Sequence, residues 1–438
     1  MKSVARKIID SSLKAVDPFE LVKVQMSLDG EKLIIQGKHS FDLSRFAKIY
    51  LIGTGKGTAP MASAVEGLLG DRITAGAIVV KYGHAQHLKK IKVFEAAHPV
   101  PDQNGLMATK HILDIAKKAG PEDLVIVLLT GGGSALLECL PDEITLTDLM
   151  DLNRILLSCG ASINEINTIR KHISLVKGGR LAYATAPAQT ITLILSDVIG
   201  DPIESIASGP TAPDPTTYLQ ALEIIQKYHI QDRVGKSIVK YLSDGESGKI
   251  ADTPDVMDPV FEKVRNIIIG NNRLAVEKAR ETASANGYKP VVLTDRMEGE
   301  VKEIARLIGG MIKSGIKSGI PADSPACLIL GGEPTVTING MGLGGRNQEM
   351  ALAVLQEMKD INEPFYFCSI GTDGSDGPTE AAGAWIDQDT FSRAVRKNLD
   401  PGAYLQNNDS YHFFKKLNQL VVTGPTRTNV MDLIFCLY

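Results

Sequence analysis

Short apolar runs recur along the first half of the chain, and each is closed by glycine, aspartate or serine. They include "KIYLIGTGKG", "AGAIVVKYG", "LVIVLLTGGG" and "ITLILSDV". Amphipathic stretches, such as residues 103–119, separate most of these runs. Buried strands that alternate with amphipathic helices are typical of an α/β layer with a largely parallel sheet. The alternation therefore predicts an α/β fold.

A second series of apolar runs follows in the C-terminal part. It comprises "NIIIGNN", "KPVVLTD", "ACLILGGEPTVTI", "FYFCSIGTDG" and "QLVVTGPTRTN". Within it, "EPTVTI" follows a strand too closely for a helical crossover, which predicts an antiparallel hairpin in a mixed sheet. The polar segment 241–259 is rich in glycine and proline and is the best linker candidate. Because 438 residues exceed what one core usually serves, we predict two domains, 1–255 and 256–438.

Charge and cysteine content narrow the classes of partner. With 47 basic and 51 acidic side chains, the net charge of -4 argues against a general nucleic-acid or membrane-surface role. No apolar run approaches the roughly 18 residues that span a bilayer. The five cysteines form no C-x-x-C pair, so we expect neither a disulfide framework nor a zinc ribbon. We expect a cytoplasmic monomer or homodimer that binds small molecules, without nucleic-acid or membrane partners.

Two glycine-rich strand ends are candidate anion sites. "GTGKG" places Lys56 between glycines just after an apolar run, and "TGGGS" supplies Gly131, Gly132, Gly133 and Ser134. Ligands of open parallel sheets bind beyond the carboxyl ends of the strands, where backbone N–H groups favour anions. The P-loop pattern G-x-x-x-x-G-K-[ST] does not occur in the sequence. For the first motif the alternative is a tight turn with a solvated lysine, and for the second it is a merely tight loop.

Acidic residues follow several other apolar runs. Asp197 follows "LILS" in the first half, while Glu333 and Asp373 follow runs in the second half. Mg²⁺ prefers one or two carboxylates together with waters and phosphates, so these residues are candidate metal ligands. Capping of local structure is the alternative role for each. Other acidic candidates at similar positions are Asp201, Glu204, Asp214 and Asp376.

Basic side chains complete the set of candidate residues. Arg346 stands at a predicted helix start in "GLGGRNQE", and its guanidinium suits bidentate contact with carboxylate or phosphate. Arg170 and Lys177 are seven residues apart and are expected to share a helix face, although most such faces are solvated. Lys171, in the same segment, is a candidate for nucleotide binding. Together the motifs predict two α/β domains that face a cleft holding a polyanionic ligand with Mg²⁺.

The ordered set of motifs resembles that of glycerate 2-kinases with a MOFRL domain. The resemblance runs from about residue 50 to residue 438 and rests on "GTGKGTAPMA", "AAHPVPDQNG", "LLTGGGSALL", "INTIRKHISLVKGGRLA", "LSDVIGDPIESIASGPTAPDP", "GGEPTVTINGMGLGGRNQEMALA", "GTDGSDGPTEAAGA" and "GPTRTNVMDL". It implies a Rossmann-like N-terminal glycerate kinase domain followed by a MOFRL-type α/β domain. It also implies ATP-dependent phosphorylation of D-glycerate to 2-phosphoglycerate with Mg²⁺, in a cleft between the two domains.

By the same resemblance, Lys56 and Arg346 are the expected catalytic or substrate-binding residues. Lys56 would stabilise charge on the transferring phosphoryl group, and Arg346 would bind that group or the carboxylate of glycerate. The loop of residues 131–134 would cradle phosphate oxygens, while Asp197, with Glu333 or Asp373, would hold Mg²⁺. One position departs from the family pattern: Arg427 occupies the place of a glycine in "GPTRTNV".

Two alternatives stay open at this point. An NAD(P)H-dependent hydroxypyruvate reductase would need a G-x-G-x-x-G turn, followed about 20 residues later by an acidic ribose ligand. The glycines here stand at 53, 55 and 57, and "VVKYG" lacks the acid. A non-catalytic binding protein for a sugar acid or nucleotide is the other alternative.

Overall fold

The computed structural model describes residues 1–438, and the chain divides into two compact units. Pro18–Ile269 form the first, which we call the parallel-sheet unit. Met1–Asp17 and Gly270–Tyr438 form the second, which we call the mixed-sheet unit. No helix is both long enough and apolar enough to cross a membrane.

Strands and helices are numbered in chain order. The strands are β1 (Met26–Asp29), β2 (Lys32–Ile35), β3 (His39–Asp42), β4 (Lys48–Thr54), β5 (Ile73–Lys81), β6 (Ile91–Ala96), β7 (Asp123–Leu129), β8 (Gln189–Leu195), β9 (Val264–Gly270), β10 (Lys289–Met297), β11 (Ala326–Gly332), β12 (Tyr366–Gly371), β13 (Gly383–Asp387), β14 (Leu420–Val421) and β15 (Asp432–Leu437). The α-helices are α1 (Lys2–Ala15), α2 (Pro18–Gln25), α3 (Thr58–Leu69), α4 (Gln103–Ala116), α5 (Gly133–Leu136), α6 (Leu146–Ser158), α7 (Ile163–His172), α8 (Arg180–Thr185), α9 (Tyr218–Lys227), α10 (Lys236–Glu246), α11 (Asn272–Ala285), α12 (Val301–Ser318), α13 (Arg346–Glu357), α14 (Thr390–Arg396), α15 (Pro401–Gln406) and α16 (Ser410–Leu417).

The parallel-sheet unit is built on a six-stranded sheet with the order β6-β5-β4-β7-β8-β9. Strands β4 to β8 pair in parallel with their neighbours. Counted along the chain, this is the 3-2-1-4-5-6 order of a doubly wound Rossmann fold, and the order reverses between β4 and β7. All seven residues of β7 are buried, as expected for a parallel strand covered on both faces. The predicted α/β fold with a Rossmann-like parallel sheet is confirmed.

The mixed-sheet unit has the strand order β10-β11-β15-β12-β13-β14. Only β10 and β11 pair in parallel, whereas β15 runs antiparallel to both β11 and β12. The predicted mixed sheet is therefore confirmed, but the expected strand in "EPTVTI" is wrong. Thr335 forms a single bridge to Glu300 at the start of α12, because the place beside β11 is taken by β15.

The compact units do not follow the predicted domains 1–255 and 256–438. The run "NIIIGNN" forms β9, which lies beside β8 at the edge of the first sheet rather than in the second. Helix α1 packs on α11 in the mixed-sheet unit, where Ala5, Ile8 and Ile9 share a core with residues of α11. The proposed linker packs on the parallel-sheet unit, where the Asp214 amide donates to the Pro254 carbonyl. The polar segment 241–259 therefore lies within the parallel-sheet unit and does not mark its end.

One buried ion pair ties two segments of the parallel-sheet unit together. The ammonium of Lys177 contacts the carboxylate of Glu138, and their side chains are 1% and 2% exposed. The Ser174 hydroxyl also donates to Glu138, at 2.6 Å. Burial lowers the pKa of Lys177, and Glu138 opposes that shift. Because α7 ends at His172, Lys177 lies beyond the helix, and the expected helix face shared with Arg170 is wrong.

Substituting one partner of this pair tests its weight in the fold. Lys177→Met leaves a carboxylate buried without its cation, which costs about 3–5 kcal/mol of unfolding free energy. The double variant Glu138→Gln/Lys177→Met is expected to recover most of the loss, since no charge is left buried. Urea unfolding measures both. Lys240→Met, which breaks an exposed pair with Asp244, is the control and should change little. A Lys177→Met midpoint equal to that of the wild type would contradict the assignment.

Candidate active site

The two glycine-rich loops of the parallel-sheet unit lie side by side where the strand order reverses. The Lys56 amide, after β4, donates to the Gly131 carbonyl, after β7, at 2.9 Å. The Gly57 amide donates to the Thr130 hydroxyl oxygen at 2.9 Å, and the Thr130 amide donates to the Thr54 carbonyl at 3.1 Å. These bonds fix the two loops against each other at the edge of the sheet where such folds bind ligands.

Close approach explains the bare backbone of both loops. Gly55 has φ +123°, and a Cβ atom placed on it would lie 2.1 Å from the Thr130 hydroxyl oxygen. Gly132 has φ +84°, and its Cβ would lie 2.9 Å from His98 Cδ2 and 3.4 Å from Lys56 Cγ. Side chains are therefore excluded by conformation and by space. The loop also faces neighbouring polar side chains, so it is more than a tight turn.

Two histidines, His84 and His98, lie close to Lys56. The His84 ring donates through Nδ1 to the Lys56 carbonyl, at 3.0 Å. Burial, together with the charges of Lys56 and Lys81, lowers the pKa of His98 to about 4. His98 is therefore a neutral imidazole at neutral pH. Its ring forms no hydrogen bond within the protein, unlike that of His84.

Ser134 lies beside a strained segment. Its hydroxyl is 2.7 Å from the hydroxyl of Ser208, so one donates to the other. Ala207 and Ser208 have φ values of +51° and +61°, in the left-handed region that non-glycine residues rarely adopt. Such strain costs about 1–3 kcal/mol per residue and is commonly found at functional sites. Asp197 follows β8 at the same edge of the sheet and is half-buried.

Lys171 does not present its charge to a ligand. Its ammonium lies 3.2 Å from the Asp214 carboxylate, and the two side chains are 5% and 0% exposed. The Thr216 amide and hydroxyl donate to the same carboxylate oxygen. The expected nucleotide-binding role of Lys171 is therefore corrected to a structural one, because a buried, paired ammonium cannot contact a nucleotide in solvent.

Arg346 is the centre of the polar cluster in the mixed-sheet unit. It donates to both carboxylate oxygens of Asp432, through Nε at 2.6 Å and Nη2 at 3.0 Å. It also donates through Nη1 to Glu333 at 2.7 Å. Three of the five guanidinium N–H groups are thus used, and two remain. The Arg346 side chain is 32% exposed, whereas Asp432 is fully buried. The guanidinium is therefore bonded to a buried carboxylate but is still partly exposed to solvent.

Burial and charge oppose each other in this cluster. Burial raises the pKa of Asp432 to about 7, against the lowering effect of Arg346. For Arg346, burial lowers the pKa, but Asp432 and Glu333 raise it by more, and the net shift is upward. Arg346 therefore keeps its positive charge in a fixed orientation, which suits it to bind an anionic group.

Asp376 fixes the helix that carries Arg346. Its carboxylate accepts from the amides of Asn347 and Gln348 at 3.0 and 2.8 Å, at the start of α13. A Cβ on Gly345 would lie 2.4 Å from the Asp376 carboxylate carbon. The "GGRNQE" and "GSDG" motifs are thus one structure, in which a buried carboxylate caps a helix through a bare backbone. Asp376 is therefore not available as a metal ligand.

The three candidate metal ligands, Asp197, Glu333 and Asp373, are all half-buried. No cluster of three or more His, Cys, Asp or Glu side chains is arranged to hold a metal ion. One oxygen of Glu333 accepts from Arg346, and its expected role as a metal ligand stays a prediction. Asp197 and Asp373 are half-buried at strand ends, and Asp373 accepts from the Ser375 amide at 2.9 Å. One such carboxylate suffices for Mg²⁺ that is also held by phosphates and water.

Comparisons with known proteins bear on these two sites. A family model described as a domain of unknown function, DUF4147, matches residues 4–243, and the MOFRL family model matches residues 326–432. A glycerate 2-kinase from Pyrococcus horikoshii is 38% identical over 438 residues, covering 100% of this chain and 97% of its own. The chain belongs to the glycerate kinase family. The resemblance inferred from the motifs is confirmed.

Other members of the glycerate kinase family extend the comparison. The crystal structure of the glycerate kinase from Thermotoga maritima has a TM-score of 0.88 and 37% identity, covering 100% of this chain and 99% of that one. A relative from Agrobacterium vitis, 40% identical over 385 residues, covers 87% of this chain and 85% of its own length and is named as a candidate hydroxypyruvate reductase.

Arg427 occupies a position suited to the glycine of the family pattern. Its φ is +62°, in the left-handed region, and its side chain is exposed. A glycine adopts this conformation without strain, whereas an L-residue loses about 1–2 kcal/mol. Arg427 therefore stands in a backbone conformation that a glycine would adopt without strain.

The neutral state of His98 can be measured directly. With a pKa of about 4, roughly one ring in a hundred is protonated at pH 6, against about three in four for an unperturbed histidine. NMR of the imidazole C–H groups between pH 8 and 5.5 should show no shift at His98, whose signal the His98→Asn variant identifies. Since the folded-state pKa lies below the unfolded value, this group's contribution to stability is lost as pH falls from 6.5 toward 4. A His98 signal that moves near pH 6.5 would contradict the prediction.

Proposed function

We propose that this protein transfers a phosphoryl group from ATP to D-glycerate, with Mg²⁺, and forms 2-phosphoglycerate. The names of its relatives support phosphorylation of glycerate. One observation carries the proposal furthest: Lys56 stands beside a glycine-rich strand end at the point where the strand order of a Rossmann sheet reverses. This is where doubly wound folds bind phosphorylated ligands.

The loop of residues 131–134 is suited to phosphate oxygens. The amides of Gly132 and Ser134 donate to no group of the protein, and the loop carries no side chain before Ser134. Lys56 adds a positive charge next to this loop, through a side chain whose Cγ packs close to Gly132. Fixed N–H donors and a nearby cation favour the transferring phosphoryl group more strongly as its charge spreads in the transition state.

Arg346 is suited to the carboxylate of glycerate. Its two remaining N–H groups can donate to one carboxylate, while Asp432 holds the guanidinium plane. A planar donor fixed in this way favours planar carboxylates. Asp197 or Asp373 would hold Mg²⁺, which neutralises phosphate charge when bound.

The cysteines favour a cytoplasmic location. All five are unpaired, and three of them are buried, namely Cys327, Cys368 and Cys436. Free thiols persist in a reducing compartment. We propose small-molecule substrates only, and a monomer or homodimer.

Hydroxypyruvate reduction is the second candidate function. The Rossmann strand order and the name of the relative from Agrobacterium vitis favour it. The local chemistry does not, because Gly53 lies inside β4 and the end of β5 carries Lys81 where an acidic ribose ligand is needed. An assay that follows NADH absorbance with hydroxypyruvate, beside ADP release with D-glycerate and MgATP, separates the two reactions.

Removal of either proposed charge-bearing side chain should abolish most of the kinase activity. Lys56→Ala and Arg346→Ala are each expected to raise the barrier by about 3–4 kcal/mol, or to lower kcat/KM roughly 100- to 1000-fold. ³¹P NMR of the wild-type product distinguishes 2- from 3-phosphoglycerate. Arg306→Ala and Lys240→Ala, which break exposed ion pairs, serve as controls. Near-normal kcat/KM in Lys56→Ala or Arg346→Ala would refute that residue's role.

Gly132→Ala tests whether space above the loop matters. The new Cβ meets His98 and Lys56, so we expect kcat/KM to fall about 10- to 100-fold through displaced groups. Gly160→Ala is the matched control, since Gly160 has a similar φ of +78° but nothing within 4 Å of a Cβ. Both variants carry the same backbone strain, and only the first should lose activity. Equal activities in the two variants would count against a substrate at this loop.

A further inference from the structure

His98 stands where three strand ends of the parallel-sheet unit meet. It follows β6, while Lys56 follows β4 and Gly132 follows β7. A Cβ on Gly132 would lie 3.1 Å from His98 Nε2 and 3.4 Å from Lys56 Cγ. The imidazole and the lysine therefore flank the same bare peptide, which is the proposed floor of the phosphoryl site.

The ring of His98 is available for chemistry. Neither ring nitrogen bonds to another group of the protein, although the side chain is more than half removed from solvent. The charged and titratable groups that act on it are Lys56, Lys81 and His84, and all three disfavour the imidazolium. The ring is thus neutral at neutral pH and has one nitrogen lone pair that no other group of the protein uses.

Resting on the proposed function, we propose that His98 is the general base of the reaction. As the substrate oxygen forms its bond to the γ-phosphorus, the bond from that phosphorus to the β,γ-bridging oxygen breaks. The hydroxyl proton passes to the ring nitrogen of His98, and ADP leaves with the electron pair of the broken bond. His98 then releases the proton to water.

An uncharged base suits this position better than a carboxylate. A carboxylate next to Lys56 would form an ion pair with it and compete with the phosphoryl group for the ammonium. A neutral imidazole adds no ion pair with Lys56. After proton transfer, the imidazolium faces a newly formed phosphate dianion, and its low pKa in the free enzyme favours proton release once the product leaves.

The acidic residues near Arg346 are occupied in other ways. Asp432 and Glu333 accept hydrogen bonds from Arg346, and Asp376 caps α13. Each would lose that partner on accepting a proton. His98 would lose none, because it has no partner to give up.

His98→Gln tests the role, since glutamine keeps hydrogen-bonding groups at the end of the side chain but cannot take the proton. We expect kcat to fall about 100- to 10,000-fold with KM changed only a few-fold. The acidic limb of kcat/KM, which reports the free enzyme, should lie near pH 4 in the wild type and vanish in the variant. His87→Asn, on an exposed histidine of a nearby loop, is the control.

A second variant separates proton transfer from structure. Imidazole in solution should partly restore the activity of His98→Ala, in proportion to its neutral form. Wild-type kcat in His98→Gln, or a slow variant that keeps the acidic limb and gains nothing from imidazole, would overturn the role. A wild type that leaves D-glycerate unphosphorylated would overturn the proposed function and this role with it. An active wild type beside an unaffected His98→Gln would overturn the role alone.

Discussion

The candidate site of the parallel-sheet unit depends on hydrogen bonds between the ends of two adjacent strands. Thr130 is central to them, because its amide donates to Thr54 while its hydroxyl accepts from Gly57. With these bonds in place, the loop after β4 and the loop after β7 have one relative position. The bare backbone at Gly55 and Gly132 is what lets the loops approach so closely. Packing of the sheet fixes the positions at which β4 and β7 end. The hydrogen bonds between the two loops then bring their backbone amides and Lys56 together.

The chain uses buried ion pairs for two different purposes. In Lys171–Asp214 and Lys177–Glu138 both partners are almost fully buried, and the charges hold segments of the fold together. In Arg346–Asp432 only the carboxylate is buried. This ion pair fixes the orientation of the Arg346 guanidinium and leaves two of its N–H groups available as donors. The exposure of the cationic partner is what separates the two structural pairs from the pair at the proposed ligand-binding position.

Local patterns were enough to predict the parallel sheet and the loops at Lys56 and Gly132. Apolar runs closed by glycine carry that information within a few residues. The packing of α1, the edge position of β9 and the central position of β15 were not predicted, because each depends on pairing between segments far apart in the chain. For the same reason Lys171 was misassigned, since a basic segment does not show which of its charges will be buried. Asp432 and His98 were not among the predicted site residues. Each is a single polar residue next to an apolar strand, and its role depends on neighbours from other elements.

The order in which the segments of the mixed-sheet unit leave the ribosome has a consequence for biosynthesis. Helix α1 is made before its partner α11, which follows only after Pro18–Ile269, and the central strand β15 comes later still. Until then Ala5, Ile8 and Ile9 have no core to enter. The nascent chain therefore carries an amphipathic helix that is uncovered until α11 has been made. During that interval, protection of α1 falls to chaperones or to the speed of translation.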